Sequence, residues 1–212
     1  MQVAIALFDR LTALDAVGPY EVLQRIPELD IVFVGKEVGE VRTENGFLGM
    51  TVDAKYEDVP TPDVVVVPGG IGSRVAAKDD DVLSWILTAH ETSLFTTSVC
   101  TGALILGATG LLDGLTATTH WSAYDTLAKS GATPIDTRVV EHLDKRIITA
   151  AGVSSGIDMA LRLVEILFDA TAAQAAQLMI EYDPMPPFDT GSIAKATPEV
   201  LERVDQYAAE RD

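Results

Sequence analysis

The feature that most constrains this chain is the alternation of short apolar runs with segments of helical pattern. Residues 3–8 form an almost continuous apolar run, and residues 63–67 contain four consecutive valines. A strand that is apolar at nearly every position is buried on both faces, as the inner strands of a parallel sheet are. Amphipathic segments of helical length separate these runs, the strongest at residues 155–168. The pattern predicts an α/β fold in which a mostly parallel sheet is sandwiched between helices.

The organisation along the chain predicts a single domain. Its 212 residues contain no internal repeat, low-complexity stretch or linker, and this length is near the upper end for one domain. Residues 137–143 and 146–150 predict a β-hairpin. A helix at about residues 197–210 is expected as an appendage to the domain, which we assign to residues 1–212.

The charge balance excludes some classes of partner. The chain has 15 Lys and Arg against 32 Asp and Glu, a formal net charge of −17. Nucleic-acid binding draws on basic surface, so no nucleic-acid partner is expected. The acidic residues are spread along the chain, which suits a charged, solvated surface such as that of proteins adapted to high salt.

Sequence patterns for membrane spans, signal peptides and metal ligands further restrict what this chain is expected to be. No apolar run approaches the 18 or more residues of a membrane span, and residues 1–9 are typical of a strand rather than a signal peptide. We therefore expect a cytoplasmic protein with no membrane partner. The single cysteine, Cys100, and three scattered histidines predict no disulfide, no metal site and no cofactor.

Cys100 is the candidate nucleophile. It follows the strand pattern of residues 94–99, and a helical run opens at Thr101. Such a junction holds a residue on a sharp turn at the carboxyl edge of the sheet, where open α/β folds bind ligands. The free N–H groups and positive dipole end of the following helix are expected to favour the thiolate, which is the nucleophilic form. The alternative is a buried structural cysteine.

Two further segments point to the same edge of the sheet. Gly69 and Gly70 follow the valine strand, and their N–H groups are expected to form an oxyanion-type hole with that of Thr101. The alternative is a simple turn. Asp15 follows the first strand and either caps a helix or sits beside Cys100 and passes a proton.

Five stretches carry a family resemblance: SVCTGA (98–103), GLLDG (110–114), ATTHW (117–121), TAAGVSSGID (149–158) and EYDPMPPF (181–188). Together with the Pro-Gly-Gly strand end and Asp15, they resemble the ThiJ/PfpI superfamily over about residues 1–192. This superfamily is related to class I glutamine amidotransferases, and the set is closest to its isonitrile hydratase branch. The resemblance implies a flavodoxin-like fold, a homodimer and a small-molecule substrate.

The resemblance also implies a reaction, that of a cysteine-dependent lyase which hydrates an isonitrile to an N-substituted formamide. The Cys100 thiolate attacks the terminal carbon while Asp15, its pKa raised by burial, supplies the proton to give a covalent thioimidate. Water then adds and the formamide leaves. Thr101 is expected to orient Asp15 or the thiolate through its hydroxyl.

Other residues are expected around the pocket. His120 either approaches it or anchors a turn by a hydrogen bond, Gly152 and Val153 line it, and Trp121 belongs to the core.

Alternative functions follow from the same residues. Many superfamily members carry His directly after the nucleophile, whereas this chain has Thr101, which disfavours Cys-His peptidase or glutaminase chemistry unless His120 reaches the site. A glyoxalase-like, deglycase-like or amidase-like cysteine enzyme stays open, although such glyoxalases generally carry Glu at the position of Asp15. A sensor of thiol oxidation or of a ligand, without turnover, is the third alternative.

Overall fold

A computed structural model of the chain describes residues 1–210. Its strands are β1 (Gln2–Ala6), β2 (Asp30–Gly35), β3 (Gly39–Arg42), β4 (Gly49–Val52), β5 (Ala54–Lys55), β6 (Val64–Val67), β7 (Phe95–Val99), β8 (Thr116–Ala117), β9 (Thr133–Pro134), β10 (Val139–His142) and β11 (Ile147–Ala150). Its α-helices are α1 (Ala13–Leu23), α2 (Ser73–Ala76), α3 (Asp80–Thr92), α4 (Gly102–Ala108), α5 (Tyr124–Ala128), α6 (Ser155–Leu167), α7 (Ala170–Met179) and α8 (Pro198–Ala209). Short 3-10 helices occur at Tyr56–Asp58, Trp121–Ala123, Leu143–Lys145 and Ile193–Lys195.

A seven-stranded sheet forms the centre of the fold, in the order β10-β11-β7-β6-β1-β2-β5. Every neighbouring pair is parallel except β10 and β11, which form the predicted hairpin. The order β2-β1-β6-β7-β11 is the flavodoxin-like arrangement, in which ligands bind beyond the carboxyl ends of the strands. The predicted fold class is confirmed.

Helices cover both faces of the sheet. All four valines of β6 are fully buried, and because side chains alternate along a strand, Val65 and Val67 face one core while Val64 and Val66 face the other. Helices α3, α4 and α5 pack on the first face, and α1, α6 and α7 pack on the second. Burial on both sides explains why the strand sequences are almost wholly apolar.

The chain forms two compact units, Met1–Ile180 and a second unit that begins at Glu181. The second unit contains a Pro-rich loop and α8, which matches the helix predicted at about residues 197–210. The assignment of residues 1–212 to one domain stays a prediction. Within residues 1–210, no helix is long and apolar enough to cross a membrane.

The first residue of α4, Gly102, lets this helix start directly against the end of β6. A Cβ at this position would lie 2.1 Å from the Val67 carbonyl oxygen and 2.8 Å from that of Pro68. Backbone atoms cannot rotate away as a side chain can, so the Cys100 turn or β6 would have to shift. The glycine is therefore required by close packing between the strand and the helix.

We expect Gly102→Ala to lower the free energy of unfolding by about 2 kcal/mol or more, because the added methyl overpacks a rigid contact. Urea denaturation measures this change. Gly191→Ala is the matched control, since a Cβ there meets no atom within 4 Å. A Gly102→Ala protein as stable as the Gly191→Ala protein would contradict the close-packing explanation.

Candidate active site

Cys100 lies on a strained turn between β7 and α4. Its φ of 56° falls in the left-handed region, which is unfavourable for a residue with a side chain. The turn is held by its neighbours: the Cys100 N–H donates to the carbonyl oxygens of Ala150 (3.1 Å) and Ala151 (2.9 Å), and the Thr119 hydroxyl donates to the Cys100 carbonyl (2.9 Å). Such strain persists only where the surrounding structure imposes it, and it is common at functional sites. The predicted sharp turn is confirmed.

Asp15 is fully buried beside this turn. The Gly69 N–H donates to its Oδ2 at 2.9 Å, and its carboxyl interacts with the Cys100 side chain. Among the described residues, Oδ1 has no hydrogen-bond partner. The residue before α1 is Thr12, and Asp15 falls inside the first turn of the helix. The helix-cap alternative is therefore wrong, and the carboxyl faces the cysteine as the other alternative requires.

Burial controls the protonation of the pair. It raises the pKa of Asp15 to about 7, an effect opposed by the Gly69 hydrogen bond and the Cys100 contact and reinforced by the negative charge of Glu44. Burial, followed by the charge of Asp15, raises the pKa of Cys100 to about 12, although N–H groups of Val153 and Thr101 oppose this. The Thr101 N–H at the start of α4 favours the thiolate as expected, but desolvation outweighs it and the net pKa is raised.

The turn after β6 uses its N–H groups internally. Gly69, Gly70 and Ile71 donate to Asp15 Oδ2 (2.9 Å), Thr101 Oγ1 (2.9 Å) and Glu44 Oε1 (3.0 Å). These hydrogen bonds contradict the expectation that Gly69 and Gly70 offer free donors to an oxyanion. The glycines are needed for another reason: Gly70 has a φ of 116°, and a Cβ on it would lie 2.4 Å from the Thr12 nitrogen.

Thr101 locks the same turn. Its hydroxyl accepts from the Gly70 N–H (2.9 Å) and donates to the Gly70 carbonyl (3.1 Å). The sequence predicts that this hydroxyl orients Asp15 or the sulfur directly. Instead the hydroxyl fixes Gly70, which places the neighbouring Gly69 N–H on Asp15. The N–H of Thr101, rather than its hydroxyl, interacts with the Cys100 sulfur.

His120, Gly152 and Val153, which the sequence predicts around the pocket, lie close to one another. The His120 ring packs on Gly152, where an added Cβ would lie 2.8 Å from His120 Cδ2. The His120 Nδ1 accepts from the Ser122 N–H (3.3 Å) and bonds the Ser122 hydroxyl (2.8 Å), so the turn-anchoring alternative is confirmed. Val153 has a φ of 24° and presents its N–H to the Cys100 sulfur. Trp121 is 38% exposed, and its assignment to the core is wrong.

Glu44 is the residue near the site that sequence reasoning missed. It lies in the loop between β3 and β4, where Asn45 and Gly46 indicate only a turn. Its approach to the site depends on a bridge between Leu11 and Thr43, far apart in sequence.

Cavities elsewhere in the described residues do not include the Cys100–Asp15 pair. Cavities of about 470 and 420 Å³ are lined by residues near the ends of β1 and β2 and beside Trp85, and neither includes Cys100 or Asp15. In the part of the chain that the structure describes, no three His, Cys, Asp or Glu side chains cluster as a metal site would require. The candidate site is therefore assigned from the interacting Cys100 and Asp15 side chains.

A nearly buried cysteine on a strained strand-to-helix turn, with a carboxyl of raised pKa beside it, is the arrangement of an α/β enzyme with a cysteine nucleophile. The model of the DJ-1/PfpI family matches residues 1–166. The chain belongs to the DJ-1/PfpI family, and the resemblance drawn from the sequence is confirmed.

Three known proteins illustrate how similar this chain is to other members of the family. The chain is 40% identical over 209 residues to isonitrile hydratase of Pseudomonas putida, covering 99% of this chain and 90% of that protein. It superposes on the crystal structure of a ThiJ/PfpI family protein from Pseudomonas syringae with a TM-score of 0.92 and 38% identity, covering 99% and 86% of the two chains. It is 26% identical over 141 residues to the glutathione-independent glyoxalase DJR-1.2 of Caenorhabditis elegans, covering 66% and 74%.

Proposed function

We propose that this protein hydrates an isonitrile to an N-substituted formamide through a covalent thioimidate on Cys100. The similarity to isonitrile hydratase over nearly the whole chain supports this function. The structural observation that supports it is the buried Cys100–Asp15 pair, in which a thiol that can act as a nucleophile interacts with a carboxyl that can carry a proton. Isonitrile hydration needs both at the same carbon.

The narrow access to Cys100 also suits this substrate. The cysteine is 4% exposed, which favours a reacting carbon with no bulky group on its approaching side. The reactive carbon of an isonitrile is the unsubstituted end of a linear group and can enter end-on. No oxyanion develops when sulfur adds to it, which fits a site whose glycine N–H groups are already engaged.

The pair supplies the protons that the reaction requires. The S–H proton of Cys100 passes to Asp15, and the thiolate forms a bond to the terminal carbon. Asp15 returns the proton to that same carbon, giving the thioimidate. Water adds to the C=N carbon while Asp15 takes a proton from the water and passes that proton to the nitrogen. The C–S bond then breaks as the remaining hydroxyl proton passes through Asp15 to the sulfur, so the formamide leaves and the thiol is restored with one water consumed.

The structure disfavours two alternatives. Amidase chemistry generates an oxyanion, and the Gly69 and Gly70 donors expected for it are bonded to side chains. A redox sensor needs a substantial thiolate fraction, whereas the Cys100 pKa is about 12. The glyoxalase alternative is supported by the Caenorhabditis elegans relative and is included in the test.

Formamide release from a neutral alkyl isonitrile, followed by NMR at low and molar salt, tests the proposal. The active pair holds one proton, so kcat/KM should rise about tenfold per pH unit below pH 7 and level off above it, following the Asp15 pKa of about 7. A well-folded protein that forms no formamide but consumes methylglyoxal would replace the hydratase function with the glyoxalase one.

We further propose a cytoplasmic homodimer adapted to high salt. The family resemblance supports the dimer, and the net charge of −17 supports the adaptation, because salt screens repulsion across an acidic surface. Light scattering in low and molar salt measures the molar mass, and a monomer in both would contradict the dimer.

A further inference from the structure

Glu44 joins three segments of the site. It is half-buried, and its Oε1 accepts a hydrogen bond from the Ile71 N–H at 3.0 Å. Its own N–H donates to the Leu11 carbonyl at 3.1 Å, next to the bridge between Leu11 and Thr43. The loop between β3 and β4 is thereby tied both to the segment that leads into α1 and to the turn after β6.

The turn that Glu44 holds is the one that binds Asp15. Gly69, which donates to Asp15, and Ile71, which donates to Glu44, are separated by a single residue. Each carboxylate therefore fixes one end of the same three-residue turn, with Thr101 holding the middle.

Glu44 is also an ionic neighbour of Asp15 and of His120. Its negative charge raises the pKa of the buried Asp15 and acts in the same direction on His120. Arg74 of α2 acts on His120 with the opposite sign. Glu44 thus lies within electrostatic reach of both the Cys100–Asp15 pair and the His120 side of the site, while remaining partly open to solvent.

We propose that Glu44 is a specificity-determining and positioning residue that selects against substrates carrying an anionic substituent, so that the preferred isonitriles are neutral or cationic. The assignment of isonitriles rests on the proposed function, whereas the charge selection at Cys100 does not. An isonitrile is linear, so its substituent lies on the far side of the reacting carbon from Cys100, toward the opening. A negative charge there meets the field of Glu44 in a partly desolvated site, where a like charge lowers binding by about tenfold.

Alkylation of Cys100 measures this selection directly. Cys100 is the sole cysteine of the chain, so neutral iodoacetamide and anionic iodoacetate report on this site alone. We expect Glu44→Gln to lower the iodoacetamide-to-iodoacetate ratio of rate constants by about tenfold, mainly by speeding iodoacetate. Glu57→Gln is the matched control, because Glu57 is exposed on the 3-10 helix after β5, and it should leave the ratio unchanged.

The outcomes separate the two proposals. If the ratio of the two alkylation rate constants is the same in Glu44→Gln as in the wild type, even where both rate constants change, charge selection is overturned and Glu44 has only a packing role. A second arm compares methyl isocyanoacetate with isocyanoacetate, where kcat/KM should favour the ester in the wild type and Glu44→Gln should reduce that preference by a similar factor. If the wild type hydrates neither compound, the hydratase function fails, and the alkylation ratio still decides the role of Glu44.

Discussion

Cys100→Ala is expected to abolish formamide formation, with kcat/KM falling by about 10⁴-fold or more, because the carbon–sulfur bond of the thioimidate can no longer form. Cys100→Ser is expected to be nearly as inactive. Burial that raises the Cys100 pKa to about 12 raises that of an alcohol further, and a carboxyl with a pKa of about 7 is too weak a base to activate it.

Formamide release and intact-protein mass together check this prediction. With a slowly turning isonitrile, the wild type should gain the mass of one substrate, and neither variant should. Thermal midpoints near that of the wild type would show that the variants fold, since alanine and serine are close to cysteine in size. Turnover of Cys100→Ala within tenfold of the wild type would eliminate covalent catalysis by this residue.

Asp15→Asn is expected to inactivate the enzyme and at the same time stabilise it above neutral pH. Loss of a proton carrier costs about 10²- to 10⁴-fold in rate. The amide keeps an oxygen to accept the Gly69 N–H while removing a fully buried charge. We therefore expect the same residue to support the chemistry and to oppose the stability of the fold.

The pH dependence of this stabilisation follows from the pKa of Asp15. Its value rises from 3.8 to about 7 on folding. Below about pH 3.8 the carboxyl is neutral in both the folded and the unfolded chain, so its burial causes no electrostatic loss of stability. Folding stability is then lost as the pH rises through 7, because the buried carboxyl ionises. The difference, 7 − 3.8 = 3.2 units, corresponds to about 4 kcal/mol at about 1.36 kcal/mol per unit. At pH 8 we expect Asp15→Asn to be more stable than the wild type by up to about this amount.

Urea denaturation at pH 4, 6 and 8 measures the effect. The gain should be small at pH 4 and largest at pH 8, and Asp205→Asn, which alters an exposed acid on α8, should show little change. If Asp15→Asn is destabilised equally at all three pH values, Asp15 has a structural role and its ionisation does not lower the free energy of unfolding.

The mostly parallel sheet and the helices that cover it were predictable from the sequence. The apolar runs that became β1 and β6 and the helical pattern that became α6 are periodicities of neighbouring residues, so they can be read without the fold. Cys100 and Asp15 could also be placed at one edge, because the carboxyl ends of parallel strands meet there. The family resemblance reinforced both conclusions.

The protonation and hydrogen bonding of the site were not predictable in this way. The hydrogen bonds that hold it join residues 54 apart (Gly69 and Asp15), 31 apart (Gly70 and Thr101) and 27 apart (Ile71 and Glu44). The helix-dipole rule predicted a thiolate at Cys100 because it is local, whereas desolvation depends on every residue packed around the sulfur.

The sequence by itself determined the fold class and placed Cys100 and Asp15 at the same edge of the sheet, since both follow from order along the chain. Only the tertiary structure decided that Cys100 rests as a thiol, that the Gly69 and Gly70 N–H groups are engaged, and that Glu44 reaches the site. The physical reason is that burial and hydrogen-bond pairing are properties of the packed molecule, to which residues distant in sequence contribute together.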